Sequence, residues 1–341
     1  MAILTRGTWL RLLKTAPVVV TAVLAATTAP SIRPTIARDF PDPTVLTSGG
    51  RYYAFSTMSG YNNKTWHVPV QRASSLTGPW SPIGDAMPTL PAWVAKDSPA
   101  GGDVWAPEVA ARSDGSFLLY FTAHSADHKV QCIGVALAKA PQGPYVPQGT
   151  GPLVCKAEDV NTIDPSAFTD TDGKQYLLYS SGKGQTTIWL QQMSVDGITA
   201  KGVRRALIQS DRPEEGNIVE APTLVHHEDK YVLFYSANSF NSGKYFVNYA
   251  ASDSLASTFV KADGQFLSKD TLGGRYTNPG GEDFMPGRSH DYLLFHAYFK
   301  PGQRAMFVVG LSWDDDGNPE LDLGGGTTAQ FGSGSLTPKD D

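Results

Sequence analysis

Four segments of this chain follow one plan. "DPTVLTSGGRYYAFST" begins at Asp42, "APEVAARSDGSFLLYFTA" at Ala106, "DPSAFTDTDGKQYLLYSS" at Asp164 and "APTLVHHEDKYVLFYSA" at Ala221. Each pairs an X-Pro dipeptide with a short apolar run, a polar turn and an aromatic run. A fifth segment, "EDFMPGRSHDYLLFHAY" from Glu282, keeps the plan without the proline. The prolines at 43, 107, 165 and 222 are 64, 58 and 57 residues apart, and a further 61 reaches Asp283. Self-similarity at a long fixed period marks a modular array rather than a single irregular core.

Between the copies lie further strand patterns, "HVPVQRAS", "IGVALAKA", "TIWLQQMS", "YFVNYAAS" and "MFVVGLSW", which precede turn-rich stretches such as "SLTGPW" and "APQGPY". Short aromatic strands, Gly/Pro turns and almost no helical periodicity make the chain all-β. Each copy offers about four strands, the content of one blade, and five copies predict a single-domain five-bladed β-propeller over residues 38–323. A linear solenoid needs a shorter repeat. The segment 324–341 is rich in Gly, Ser and Thr and reads as a flexible tail.

With 28 Lys and Arg against 33 Asp and Glu the net charge is −5, and no basic block stands out. Nucleic acid and anionic membranes are therefore poor partners. A neutral polymer or small polar molecule suits the charge better, and the chain is expected to act as a monomer. Arg6, Arg11 and Lys14 precede the apolar run "APVVVTAVLAATTA", which is too short to span a bilayer and has the form of a signal peptide over residues 1–29. The mature protein is expected to be secreted and free of the membrane. Cys132 and Cys155 are the only cysteines. In an oxidising compartment they suggest one disulfide, with two buried thiols as the alternative.

In a propeller the first strand of each blade lines the central axis, so residues far apart in sequence meet across a funnel. The repeat places Asp42, Asp164 and Glu220 there, each beside apolar or proline neighbours ("FPDPTV", "TIDPSAF", "IVEAPTL"). A proline after the acidic position suggests a strand start. Glu220 lies two residues before its proline, against one for Asp42 and Asp164, so strand alternation turns it to another face unless the backbone bulges. Like charges against an apolar wall raise at least one carboxyl pKa. The result is one acid able to donate a proton and one carboxylate able to activate water, the pair that glycoside hydrolysis requires. The competing reading is that each acid serves only to satisfy backbone N–H groups.

Taken together, "RDFPDP", "WAPEV", "IDPSAFTDTDGKQYLLY", "VEAPTLV" and "LLFHAY", in this order and spacing, resemble glycoside hydrolase family 43, five-bladed propeller enzymes acting on arabinose- and xylose-containing polymers. The likeness covers nearly all of 38–320. It implies that Asp42 is the general base, Glu220 the general acid and Asp164 the residue that tunes and holds Glu220. It also implies inversion at the anomeric centre and a plant cell-wall arabinan or xylan as substrate. A propeller that binds glycans without hydrolysing them is the rival reading. Related sucrose- and fructan-cleaving enzymes expect a "WECP"-like motif, which "VEAP" does not match. Many members carry Gly-His in the fifth blade, where the histidine helps hold a water or metal ion. Here the stretch is "NPGGEDFMPG", with Glu282 in that place. Either Glu282 has another structural role, or it binds an axial cation such as Ca²⁺ through oxygen. The chemistry itself needs no cofactor.

Four further residues are candidate contacts to substrate. Trp105 occupies in the second copy the slot of Glu220 in the fourth, and offers either a wall for a sugar ring or packing between blades. Arg304 resembles a family arginine that pairs with a carboxylate or sugar hydroxyl, with a surface arginine as the alternative. Phe40 and His296 lie beside motif positions and are expected to line the pocket, although His296 sits in an apolar strand where a core histidine is common.

Overall fold

The computed structural model describes Met1 and residues 32–324, apart from 62, 97–101, 157 and 158. The expected signal peptide at 1–29, apart from Met1, and the expected tail at 324–341, apart from Gly324, lie outside the described residues. The described chain is built from strands, with one short 3-10 turn at Pro213–Glu215.

The strands form five antiparallel units in chain order. The first holds β1 (Thr44–Ser48), β2 (Arg51–Phe55), β5 (Pro69–Ala73) and β6 (Ser81–Asp85), with a side hairpin of β3 (Ser59–Tyr61) and β4 (Lys64–Trp66). The second holds β7 (Val104–Ala111), β8 (Phe117–His124), β9 (Gln131–Ala138) and β10 (Val146–Pro147). The third holds β11 (Asn161–Thr169), β12 (Gln175–Gly182), β13 (Thr187–Met193) and β14 (Ala200–Gln209). The fourth comprises β15 (Val219–His227), β16 (Lys230–Ala237), β17 (Phe246–Ser252) and β18 (Val260–Lys261). The fifth comprises β19 (Thr277–Met285), β20 (Asp291–Lys300), β21 (Gln303–Trp313) and β22 (Pro319–Asp322). The second and third units are joined by one parallel pairing, Asn161 with Gln131.

Burial explains the sequence pattern. The second strand of each unit is covered on both faces, so it reads as a continuous apolar run: β8, β12, β16 and β20 bury nearly every central residue. The fourth strands are short or exposed, as in β6 and β14, and carry no such run. The apolar side chains gather into five clusters, each between two successive units. One joins the first and second through Phe55 and Phe121, and one joins the second and third through Tyr120 and Tyr179. Leu178 and Tyr235 join the third and fourth, and Phe234 and Phe295 the fourth and fifth. Val45, Ala54, Leu294 and Met306 join the fifth back to the first. The inner strands contact one another in the same cycle, β1 to β7 to β11 to β15 to β19 and back to β1. Ile36 also bridges Met306, clasping the start of the described chain to the fifth unit.

Cys132 on β9 and Cys155 form a disulfide.

Candidate active site

Each inner strand breaks its regular twist at one equivalent residue. Asp42, Ala106, Asp164, Ala221 and Gly281 all have left-handed backbone, with φ of 51°, 39°, 56°, 49° and 58°. For non-glycine residues this conformation is uncommon and needs external support. In β7, β11, β15 and β19 the ladder register shifts across this point, so each strand carries a bulge. The prolines at 107, 165 and 222 therefore sit inside strands at bulges rather than at strand starts, because a bulge is where a missing N–H costs no ladder bond. In the fifth copy the left-handed residue is Gly281, so Glu282, and not Asp283, fills the proline slot.

The five bulged N–H groups share a second regularity: each donates to a side chain of the preceding unit. Ala106 donates to Thr57 Oγ1 at 2.7 Å, Asp164 to Thr122 Oγ1 at 3.1 Å and Gly281 to Ser236 Oγ at 3.0 Å. Asp42 donates to His296 Nδ1 at 3.1 Å, and Ala221 to Asp164 Oδ2 at 3.0 Å. Thr57, Thr122, Ser180, Ser236 and His296 end the aromatic runs of the five second strands, and the fifth copy alone replaces the hydroxyl with an imidazole. That change follows from what it faces. Besides accepting the Asp42 N–H, His296 lies 3.1 Å from Asp42 Oδ1.

The bulge answers the problem posed by the position of Glu220. With Ala221 left-handed, the strand shifts register between Glu220 and Thr223, and the Glu220 carboxyl comes within electrostatic reach of Asp42 and Asp164. Its Oε1 accepts the hydroxyl of Tyr245 at 2.8 Å. Burial raises the Glu220 pKa, the Tyr245 bond lowers it and the Asp42 charge raises it, leaving it at about 7. Asp42 goes the other way. Burial alone would raise it, but the Arg304 guanidinium 3.7 Å away, His296, and Thr57 Oγ1 donating to Oδ2 at 2.6 Å hold it well below the usual carboxylate range. Asp164 is pushed well above that range by burial and by the charges of Glu220 and Asp42. Burial, followed by Arg304, lowers the His296 pKa, so the imidazole stays neutral.

Asp42 and Asp164 stand at a central cavity of about 40 Å³, room for a few water molecules. Glu108, Glu282 and Asp283 line the same cavity. Burial, followed for Glu108 by the Asp283 charge, raises Glu108 and Glu282 to about 8 each. Glu282 Oε2 accepts Ser236 Oγ at 2.5 Å, while its Oε1 is buried without a partner. No three His, Cys, Asp or Glu side chains among the described residues assemble at metal-ligating spacing.

The other candidates divide. Arg304 is brought beside Asp42, with its guanidinium 5.1 Å from the ring of Phe240. Trp105 is half-buried next to the left-handed Ala106 and belongs to none of the described apolar clusters. Phe40 does not line the site. It is fully buried among Val45, Tyr52, Leu294 and Met306, and only its backbone N–H, which donates to Arg304 O at 2.7 Å, reaches toward the site. His296 is likewise fully buried, behind Asp42 rather than on a pocket wall. Sequence reasoning missed Thr57 and Tyr245. The hydroxyl recurring at the ends of the aromatic runs was a signal for Thr57; nothing in the repeat marks Tyr245, which precedes β17 in one copy only.

The family model described as glycosyl hydrolases family 43 matches residues 32–319. A protein named probable arabinan endo-1,5-alpha-L-arabinosidase B, from Aspergillus fumigatus, is 27% identical over 77% of this chain and 80% of its own. The extracellular endo-alpha-(1->5)-L-arabinanase 1 of Bacillus subtilis is 24% identical over 80% of this chain and 84% of its own. Among solved structures, a thermostable family-43 glycoside hydrolase superposes with TM-score 0.70 at 25% identity, covering 88% of this chain and 97% of that one. The Cellvibrio cellulosa alpha-L-arabinanase complexed with arabinohexaose superposes with TM-score 0.68 at 21% identity, over 84% and 96% of the two chains, a likeness of fold.

Proposed function

Because the chain belongs to glycosyl hydrolases family 43, we propose that it hydrolyses arabinan at α-1,5-arabinofuranosyl linkages, with Glu220 as general acid and Asp42 as general base. One observation carries the roles. Two carboxyls in one buried site are driven in opposite directions, Asp42 down and Glu220 up to about 7. An acid and a base that hold different protonation states at one pH are what glycoside hydrolysis uses. The substrate rests on the names of the relatives from Aspergillus and Bacillus.

In the reaction, Asp42 takes a proton from a water as that water attacks the anomeric carbon. Glu220 gives its proton to the glycosidic oxygen as the bond to it breaks. Displacement by water on the face opposite the leaving group inverts the configuration, and the two carboxyls should then stand roughly 6.5–9.5 Å apart. Arg304, Thr57 and His296 keep Asp42 ionised and fixed. Asp164 holds the bulge that aims Glu220. Once product leaves, Asp42 loses its proton to solvent and Glu220 regains one.

The five units are read as the blades of one closed propeller domain over 38–323, a reading supported by the cyclic order of the inter-unit clusters and bulge hydrogen bonds. Secretion through a signal peptide at 1–29, and action as a monomer, complete the proposal; extracellular relatives favour the former.

The test is release of reducing sugar from linear arabinan, comparing wild type with Glu220→Gln, together with the anomeric configuration of the first product by proton NMR. The variant is expected to lose about 10²- to 10⁴-fold in kcat, the usual contribution of a general acid. An active Glu220→Gln protein, or a product of retained configuration, overturns the assignment.

A further inference from the structure

We propose that Tyr245 is a positioning residue for the general acid: its hydroxyl commits one oxygen of Glu220, so that the other presents the proton to the leaving group. This deepens the reading of the site given above and rests on it.

The geometry is specific. Tyr245 lies in the turn before β17, in the unit that carries Glu220, and its hydroxyl donates to Glu220 Oε1 at 2.8 Å. The residue is 3% exposed, so the phenol is not a surface group swinging past a carboxylate. Three contacts hold the ring. Its backbone N–H donates to Asn278 Oδ1 at 3.4 Å, and its face stacks on His296 at 6.1 Å with an interplanar angle of 13°. On another side it presses on Gly280, where an added Cβ would stand 2.0 Å from Tyr245 Cε1, closer than any side chain tolerates. Gly280 occupies in the fifth inner strand the slot that Glu220 fills in the fourth. The absence of a side chain there makes room for the tyrosine.

The arrangement also ties acid to base. His296 contacts Asp42 on one side and stacks on Tyr245 on the other, so one buried pair of rings spans the two carboxyls. A glutamate has rotamer freedom that an acid catalyst must lose before proton transfer, since reacting groups need alignment within a fraction of an ångström. A single hydrogen bond from a locked phenol removes that freedom and distinguishes the two oxygens. Burial raises the Tyr245 pKa well above that of a free phenol, so the hydroxyl keeps its proton and remains a donor.

The charged and titratable groups around Glu220 are Asp164 on β11, Glu282 on β19, Asp42 before β1, His296 on β20 and Arg304 on β21, besides Tyr245 itself. Among these, the tyrosine bond opposes the rise caused by burial and by Asp42. Its removal therefore sends the Glu220 pKa higher.

The experiment compares wild type with Tyr245→Phe, which keeps the ring and deletes the hydroxyl. Three readouts are taken: carboxyl ¹³C NMR titration of Glu220, the pH profile of kcat on linear arabinan, and kcat on an aryl arabinofuranoside whose leaving group needs no protonation. The expected results are a higher Glu220 pKa, an alkaline limb displaced to higher pH, and a fall of about ten- to a hundredfold on arabinan, part of what general acid catalysis supplies. The activated aryl substrate should be hydrolysed almost as fast as by wild type. An unshifted Glu220 titration overturns the proposal whatever the enzyme's substrate, because the NMR readout needs no turnover. Equal losses on both substrates with an unmoved alkaline limb also overturn it, since a merely structural tyrosine would behave that way. Failure of wild type to release sugar from arabinan, with the NMR shift present, refutes the substrate and leaves the Tyr245–Glu220 coupling upheld.

Discussion

The carboxyl of Asp164 accepts the N–H of Ala221 at 3.0 Å, and this bond supports the left-handed residue that follows Glu220. Asp164 thus acts on Glu220 through the backbone. Asp164→Ala leaves a buried N–H without an acceptor, at about 1–3 kcal/mol. Asp164→Asn keeps an oxygen for the bond. The alanine variant is expected to melt lower and to lose more kcat than the asparagine variant, as measured by thermal unfolding and steady-state kinetics side by side. Equal losses in the two variants would show that this hydrogen bond is not what Asp164 contributes.

Opposite pKa shifts make a sign-specific pH profile. As the proposed general acid Glu220 has to be protonated, so activity is expected to fall as pH rises through about 7. Asp42 must be ionised and is held well below the usual carboxylate range, so the acid limb lies far from neutrality. Arg304→Met removes the guanidinium 3.7 Å from Asp42 and moves the acid limb upward. Arg304 also lowers Glu220, so the alkaline limb should follow in the same direction. Profiles of kcat/KM against pH for the two proteins decide this.

Glu108 and Glu282 make the fold sensitive to alkali. Each has a folded pKa raised from 4.5 to about 8, so the folded state holds these protons more tightly than the unfolded chain does. The stability this brings is complete below the unfolded value of 4.5 and is lost as pH rises through about 8. Glu108→Gln has no proton to lose and keeps an acceptor for the Ala167 N–H, which now donates to Oε1 at 3.1 Å. Its Tm should decline less than that of wild type across this interval in melts followed by fluorescence.

The Cys132–Cys155 bridge closes a loop of sequence separation 23, worth roughly 3 kcal/mol by loop-closure entropy. Reduction, or paired replacement by alanine, should lower Tm by several degrees. Neither cysteine touches Asp42, Glu220 or Asp164, so kcat at a temperature below both transitions should change little. A large kcat loss with unchanged Tm would contradict this.

Much of the fold was legible because the chain states its pattern several times. The second strands are buried on both faces, and only uninterrupted apolar runs survive there, so "YLLYSS" and "YVLFYSA" announce themselves. Asp42, Asp164 and Glu220 could be singled out as candidates for the same reason, since each lies one or two residues before the proline slot of its copy. The residues misjudged are those whose role depends on direction rather than place. Phe40 stands two residues from Asp42, but its side chain turns into the cluster between the fifth and first units. Of the two readings open for His296, pocket lining and a core histidine, its full burial beside Asp42 favours the second.

Sequence by itself determined the number of copies, the strand character of each and the acids that begin them, because burial and turn chemistry act on neighbours along the chain. Tertiary structure alone decided which oxygens carry protons. The Asp42 charge state depends on Arg304 and His296, more than 250 positions away, and that of Glu220 on a tyrosine outside the repeat. Electrostatic energy depends on distance through space and on exclusion of water, and no local pattern of residues records either.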